Sequence, residues 1–211
     1  MTKILKSWWV NLLVWVGCVL PASLLAWRWI NNDVGFNWLE TIQRATGDWT
    51  MRFLLLSLCI TPLRRIPGLS GLIKFRRRLG LTAFSYGCLH LAIYLQMDKQ
   101  WDWAIIWEDL TIRRFYVVGL LAFALLVPLA LTSTNWAIRK LGKKWQRLHR
   151  LVYFATAAGI VHYLWQGKTV VIGPLIYAGC LAILMLYRLI AWGWKLRSKR
   201  ALVRPTVARP A

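Results

Sequence analysis

Acidic residues are scarce in this chain: 7 Asp and Glu stand against 28 Lys and Arg, a formal net charge of +21. Charged residues of either sign make up only 17% of the 211 residues, where a typical soluble domain has about a quarter. So basic a composition occurs in nucleic-acid-binding proteins and in membrane proteins with cationic loops. Because the charges lie almost entirely between long apolar runs, we predict an integral membrane protein and no nucleic-acid partner.

The motifs of several common enzyme classes are missing as well. The four cysteines, Cys18, Cys59, Cys88 and Cys180, stand singly, so the sequence offers no CxxC pair for zinc or for covalent haem attachment. It has no GxSxG nucleophile elbow and no HExxH zinc motif, and neither a Rossmann fingerprint nor a P-loop. Segments of alternating polarity, which would indicate a membrane barrel, are absent. No internal repeat is evident.

Apolar runs long enough to cross a membrane recur along the chain. A hydrocarbon core of about 30 Å needs roughly 20 helical residues. Six segments meet this requirement, of which the second is the weakest because Arg52 interrupts its start and Pro62 ends it: 9–30, 48–63, 79–97, 115–133, 148–166 and 173–194. We therefore expect an all-α integral membrane protein, built as a six-helix transmembrane bundle.

The distribution of Lys and Arg predicts the orientation of this bundle. Basic residues collect near 3–6, 64–78, 139–150 and 195–209, which are ends of the six segments on one side of the membrane. All seven acidic residues fall on the other side. Since loops rich in Lys and Arg stay in the cytoplasm, both termini are predicted to be cytoplasmic. The same basic loops are suited to contact anionic lipid.

Histidines are the only ionisable residues predicted to lie deep in the membrane, and the chain has three. His90 lies about 12 residues into the third segment and His162 about 14 residues into the fifth, and both segments run outward, so the two side chains have similar depth. Two imidazoles at one depth on separate helices can supply both axial ligands of one haem iron.

The residues around these two histidines leave two interpretations open. Small side chains, which would give a flat porphyrin room to approach, occupy nearby turns: Ala83, Gly87, Ala155, Ala158 and Gly159. However, small residues and single histidines also occur where membrane helices simply pack and form hydrogen bonds. The chain is therefore a haem protein, or a non-haem helical scaffold or small-solute permease whose histidines only join helices.

His149 precedes His162 by 13 residues, which places it roughly 20 Å closer to the cytoplasmic side. The matching positions on the third segment hold Arg77 and Arg76, and neither is a conventional haem ligand. His149 can bind a five-coordinate haem, pair with another ligand or cap a basic interface. The basic clusters that include Arg76 and Arg77 indicate cytoplasmic retention, or else a cradle for haem propionates or a flavin phosphate.

Several short motifs, in this order and spacing, resemble the MsrQ (YedZ) family of haem-binding membrane subunits, within the wider group of ferric-reductase-like transmembrane proteins. They are Ile60-Thr-Pro-Leu63, Arg77-Arg-Leu-Gly-Leu81, Leu89-His-Leu91, Leu131-Thr-Ser-Thr134, Leu141-Gly-Lys-Lys-Trp-Gln-Arg-Leu-His149, His162-Tyr-Leu-Trp165 and Pro174-Leu-Ile-Tyr-Ala-Gly179.

This resemblance implies a haem-binding domain over residues 1–196, followed by a basic cytoplasmic tail at 197–211. It implies b-type haem on His90 and His162, with His149 as the further family histidine, and a bound FMN. It also implies a place in the bacterial inner membrane and electrons drawn from the quinone pool or a flavin reductase. The implied acceptor is a periplasmic, molybdopterin-containing methionine-sulfoxide reductase subunit, in which the catalysis resides. A self-contained quinol or metal reductase would be expected to carry a nucleotide-binding domain, and none is evident.

Overall fold

The computed structural model describes residues 7–167 and 172–203, and within these the side chains of 195, 196 and 199–203 are not described. Lys3, Lys6, Lys168, Arg204 and Arg209 of the charge pattern, and the predicted tail beyond 203, lie outside the described residues. The regular elements of the described part are all helical: α1 Trp8–Ile30, α2 Trp38–Leu63, α3 Ile73–Ile93, α4 Trp103–Ile112, α5 Arg114–Leu131, α6 Asn135–Leu141, α7 Lys143–Leu148, α8 Leu151–Gln166 and α9 Ile172–Val203. A 3-10 turn at Ser70–Leu72 precedes α3, and a π-helical turn at Tyr94–Asp98 extends it.

Six long helices cover the six predicted apolar segments, and the all-α class is confirmed. Among the described residues, three stretches are long and apolar enough to cross a membrane by length and composition: Trp8–Ile30, Arg114–Leu131 and Ile172–Trp194. The other three long helices are more polar or shorter. The first turns of α2 carry the ion pairs Arg44–Glu40 and Arg52–Asp48, α3 begins with the basic cluster, and the 16 residues of α8 extend about 24 Å.

Two helical hairpins form the centre of the molecule. α2 packs along α3, and α5 packs along α8. The hairpins meet where α2 contacts α8 and α3 contacts α5, while α1 packs on the first hairpin and α9 lies against α2 and α8. The largest cluster of buried side chains includes Phe53, Leu54, Tyr86, Leu126 and Ala155, which come from both hairpins.

Helix α1 is attached to the first hairpin through a tyrosine that enters its backbone ladder. In a regular helix the Ala22 N–H would donate to the Cys18 carbonyl. Here the Tyr86 hydroxyl accepts from the Ala22 N–H at 2.9 Å and donates to the Cys18 carbonyl at 3.0 Å. The insertion is next to Pro21, and an inserted side chain of this kind is a recognised cause of helix bending.

Helix α9 is attached to α2 at a carbonyl that a proline leaves free. Pro62 has no N–H, so the carbonyl of Leu58, four residues earlier, loses its helical partner. Arg188 Nη2 donates to this carbonyl at 2.9 Å, and its guanidinium lies 4.9 Å from the centre of the Tyr153 ring. The arginine of one helix therefore satisfies a polar group of another. Arg188 also lies within the sixth predicted segment, so histidines are not the only ionisable residues in the predicted segments, contrary to the expectation.

Helix α4, between the hairpins, is held by a buried ion pair near its C-terminal end. The Asp102 carboxylate caps its first turn by accepting from the N–H groups of Ala104 and Ile105. Asp109 is buried, and its carboxylate lies 2.9 Å from Lys99 Nζ and accepts a hydrogen bond from the Tyr94 hydroxyl at 3.1 Å. Burial lowers the pKa of Lys99, but the carboxylates of Asp109 and Asp98 outweigh that effect, so the pKa is raised above its ordinary value.

Candidate functional site

A cavity of about 380 Å³ lies between the two hairpins, with helix α4 along one end. Its walls are mostly apolar, and the rings of His90 from α3 and His162 from α8 both line it. The centres of these two rings are 6.3 Å apart and their planes are nearly perpendicular, at 86°. The structure therefore brings together the two histidines that were predicted to share a ligand.

The His90 ring is oriented by the neighbouring helix α2. Its Nδ1 lies 3.0 Å from the Gln43 carbonyl and 3.3 Å from the Thr46 hydroxyl. A carbonyl only accepts, so Nδ1 carries the proton and donates, and the lone pair of the neutral ring is on Nε2. This is the tautomer in which imidazole binds a metal through Nε2.

The His162 ring is oriented in the same way by helix α5. Its Nδ1 donates to the Phe115 carbonyl at 2.7 Å, which again leaves the Nε2 lone pair available. Histidine ligands of metals usually donate their second N–H to such a carbonyl, which fixes the ring and makes it more basic. Both rings thus have the orienting contact that a pair of axial ligands requires.

The spacing of the rings agrees with one iron held between them. Imidazole nitrogens bind metals at about 2.0 Å, and Nε2 lies about 1.1 Å from its ring centre, so two rings on opposite sides of one metal have centres about 6 Å apart. The observed separation is 6.3 Å. The cavity volume also falls within the range of about 300–1,000 Å³ typical of cofactor pockets. The residues present therefore fit a bis-histidine haem.

Two glycines that the sequence reasoning missed let the histidine rings lie against the helices. A Cβ on Gly47 of α2 would lie 3.2 Å from the His90 ring. A Cβ on Gly119 of α5 would lie 2.6 Å from His162 Nδ1, closer than any side chain tolerates. Each glycine follows the carbonyl that accepts from the ring by four residues, so carbonyl and glycine share one helix face.

Of the five small residues predicted beside the histidines, three line the cavity: Gly87, Ala155 and Gly159. Ala83 is fully buried among core side chains, and Ala158 is not among the lining residues. Gly159 has less space around it than Gly87. A Cβ on Gly159 would lie 2.9 Å from Met51 Sδ, whereas the nearest atom to a Cβ on Gly87 would be 3.6 Å away.

The inner-side candidates lie away from this cavity. His149, at the end of α7, stacks on the Trp145 ring with centres 3.8 Å apart and directs Nδ1 at the Trp145 carbonyl at 3.2 Å. Its Nε2 is buried and makes no close hydrogen bond within the described part of the chain, where the Leu129 backbone is a weak acceptor beside the ring. Arg77 donates to Asn135 Oδ1 at 2.7 Å, and the Arg76 carbonyl accepts from the Ser57 hydroxyl. None of these three residues lines the cavity.

The two hairpins are related by an internal repeat, contrary to the sequence-based expectation. His162 follows His90 at the same interval along the chain as the Phe115 carbonyl follows the Gln43 carbonyl. Besides the histidines, eight pairs of identical residues, one from each hairpin, share this repeat interval: Gly47 and Gly119, Leu54 and Leu126, Ile66 and Ile138, Leu69 and Leu141, Arg78 and Arg150, Leu79 and Leu151, Ala83 and Ala155, Gly87 and Gly159. The repeat is difficult to detect in the sequence because most of these residues are small or apolar and most positions between them differ.

Contacts across the cavity follow the same two-fold relation. The neighbour of Gly87 is Phe123 on the opposite hairpin, and the neighbour of Gly159 is Met51. Met51 and Phe123 are themselves separated by the repeat interval. Each hairpin therefore supplies one histidine, one orienting carbonyl and two glycines, and the cavity lies between two equivalent halves.

Comparison with known proteins agrees with this geometry. Residues 46–160 match the model of the family described as ferric reductase like transmembrane component. Proteins named "protein-methionine-sulfoxide reductase heme-binding subunit MsrQ" are similar over most of the chain. The one from Azospira oryzae is 46% identical over 196 residues, covering 90% of this chain and 84% of the relative. The relatives from Herminiimonas arsenicoxydans and Rhodospirillum rubrum are 44% and 43% identical, covering 90% and 89% of this chain and 88% and 91% of their own.

No solved structure matches the chain. The matched family segment begins at Thr46 and ends at Ile160, and so includes most of both hairpins and His90. The curated relatives extend this similarity to about nine-tenths of the chain. On these grounds the chain belongs to the MsrQ family of haem-binding subunits, which have the ferric-reductase-like transmembrane fold.

Proposed function

We propose that the chain binds one b-type haem in the cavity between its hairpins, with His90 and His162 as the axial ligands. The observation that carries this proposal is the pair of imidazole rings, with centres 6.3 Å apart and each Nδ1 bound to a backbone carbonyl. The chain's own part is to hold both Nε2 atoms toward one point between the helices.

In this proposal the chain is an electron-transfer subunit. The relatives are named as haem-binding subunits of protein-methionine-sulfoxide reductase. We infer that this chain passes electrons from the quinone pool or a flavin reductase to a periplasmic, molybdopterin-containing reductase subunit, which performs the catalysis. The mostly apolar walls of the cavity keep water from the site, and a shell of this kind tunes a redox potential. When bound, haem supplies a reversible one-electron carrier.

The proposed topology is a six-helix span of the bacterial inner membrane with both termini in the cytoplasm. The six crossings are α1, α2, α3, α5, α8 and α9. This arrangement places the loops rich in Lys and Arg on the cytoplasmic side, as the positive-inside rule requires. It puts α4, with the acidic residues around it, on the periplasmic side, where the reductase partner would dock.

The inner residues are proposed as a separate site. His149 directs Nδ1 at a backbone carbonyl like the other two histidines, and its buried Nε2 makes no close hydrogen bond among the described residues. It is a candidate ligand for a second group, while Arg76 and Arg77 are candidate contacts for a phosphate such as that of FMN. FMN itself rests on the family resemblance alone.

The test is haem content per chain and the visible spectrum of the purified protein. We expect a Soret band and reducible α and β bands in the wild type. His90→Ala and His162→Ala should lose most of the bound haem, because one axial ligand and its orienting contact are removed. Cys88→Ala on the same helix is the matched control and should keep full haem content. A colourless wild type from haem-replete cells would favour the scaffold or permease, and equal haem in all variants would refute the ligand assignment.

A further inference from the structure

The repeat makes the two halves of the cavity nearly equivalent, so the positions where they differ are informative. The cavity has two lateral edges, one between α2 and α8 and the other between α3 and α5. At the α2–α8 edge the lining residues include two charged side chains, an amide and a tyrosine, whereas their counterparts in the repeat are uncharged leucines and tyrosines. The pairs are Arg44 and Tyr116, Asp48 and Leu120, Tyr163 and Leu91, and Gln166 and Tyr94.

A b-type haem has a matching asymmetry. Its macrocycle is apolar and close to symmetric, but one edge carries two carboxylates, which need a cation or hydrogen-bond donors when they leave water. Two equivalent half-sites cannot distinguish the edges of such a disc. The residues that break the equivalence therefore decide which way the disc is turned.

We propose that Arg44, at the α2–α8 edge, binds the carboxylates of the tetrapyrrole and so determines its orientation between the hairpins. This inference rests on the proposed haem in the cavity. Arg44 is the one Lys or Arg among the described residues that line the cavity. Gln166, which follows His162 on α8, supplies a neutral donor at the same edge, where the Tyr163 hydroxyl is hydrogen-bonded to Asp48.

Arg44 is available for a new partner at little cost. It is paired with Glu40 at 2.7 Å, and the two side chains are 48% and 54% exposed. An exposed pair at this helical spacing contributes little to stability. Asp48, the acid at the same edge, is already engaged by Arg52 at 3.7 Å and by the Tyr177 hydroxyl at 3.4 Å.

The cations near the opposite edge are committed to a buried acid. Lys99 is 13% exposed and lies between Asp98 and Asp109, and Arg113 also pairs with Asp109. Neither of these cations lines the cavity. The edge beside α3 and α5 therefore presents the rings of Tyr94 and Tyr116 rather than a free positive charge.

The test compares two pigments that differ only at the carboxylates, haem and haem dimethyl ester. The full-length protein is loaded with each, and the rate at which the pigment transfers to an excess of apomyoglobin is measured. Arg44→Gln should speed the loss of haem about tenfold, because a charge-assisted hydrogen bond is lost. It should leave the loss of the ester unchanged. Arg28→Gln is the matched control, since Arg28 is a 52% exposed outer arginine paired with Asp33.

The outcomes separate this inference from the proposed function. If Arg44→Gln speeds the loss of both pigments equally, or if Arg113→Gln at the opposite edge has the carboxylate-specific effect, the orientation is wrong while the haem site stands. If the wild type takes up neither pigment, the proposed function fails first. In the expected case Arg44→Gln keeps the bis-histidine spectrum and differs only in the rate of haem loss.

Discussion

Each of the two hairpins orients one histidine ring, but the second hairpin leaves less space around its ring than the first. In the first hairpin the His90 ring has a carbonyl at 3.0 Å and a second contact to Thr46, and Gly47 leaves it some room. In the second, the carbonyl of Phe115 is 2.7 Å from His162, and no Cβ fits at Gly119. Carbonyl and glycine, four residues apart on one helix, therefore form the unit that positions each ring, and the second hairpin is the less tolerant copy.

The largest expected effect comes from filling these glycines. Gly119→Ala should displace the His162 ring, because the added Cβ would lie 2.6 Å from Nδ1, and the variant should lose most of its haem. Gly47→Ala should lose less, since its Cβ would meet the His90 ring at 3.2 Å. Haem content per chain measures both, with Gly179→Ala as the control at a position with no neighbour within 4 Å. Equal haem losses at Gly47 and Gly119 would contradict the difference between the hairpins.

The outer ends of the hairpins provide a second comparison. Lys99→Met leaves Asp109 buried, although Arg113 still reaches it, and breaking a buried pair costs about 3 kcal/mol in the free energy of unfolding. Arg44→Met breaks only an exposed pair and should cost about 0.5 kcal/mol or less in unfolding free energy. Unfolding in mixed detergent micelles measures both, and similar losses in the two variants would show that the Lys99 pair is not the stronger link.

The Lys99–Asp109 pair also predicts how the stability of the protein depends on pH. The pKa of Lys99 is raised in the folded protein, so its contribution is fully present below the ordinary lysine pKa and is lost only as the pH rises through the folded value. The stability difference between wild type and Lys99→Met should therefore stay constant between about pH 6 and 9. A difference that declines within this interval would contradict the raised pKa.

A smaller expected effect on stability concerns the contact between α1 and the first hairpin. This contact is made by Tyr86, and the second hairpin has no tyrosine at the corresponding position. The counterpart of Tyr86 in the second half of the repeat is Ala158, which has no hydroxyl. Tyr86→Phe removes a group that bridges the Cys18 carbonyl and the Ala22 N–H, and should reduce the free energy of unfolding by about 1–2 kcal/mol. Ser85→Ala, which removes an exposed hydroxyl bonded within its own helix, is the control. An equal loss in both variants would show that the bridge does not stabilise α1.

Much of the fold and part of the site could be predicted from the sequence. Apolar runs predicted the positions of all six long helices, because the length of an apolar run and its bounding charges are local properties. The pairing of His90 with His162 was predicted from equal depth, and the two rings meet in the structure. No repeat was evident in the sequence, because its identical pairs are scattered among many positions that differ.

Other parts of the site could not be derived from the sequence. Gln43 and Phe115 act through backbone carbonyls, so their side chains carry no signal of the role. Gly47 and Gly119 lie on helices other than those of the histidines, and Arg44 belongs to none of the motifs in the sequence. Arg76 and Arg77, predicted to cradle haem propionates or a flavin phosphate, lie away from the cavity between the hairpins, and their role stays a prediction.

The sequence by itself determined the helical class, the membrane character and which two histidines share one depth, since these follow from composition, run length and residue type. Only the tertiary structure decided how the rings are held and which edge of the cavity is polar. Both depend on contacts between helices distant in sequence: the carbonyl partners of both rings are 47 residues away along the chain. Contacts at such separations form only when the hairpins pack, which no local pattern records.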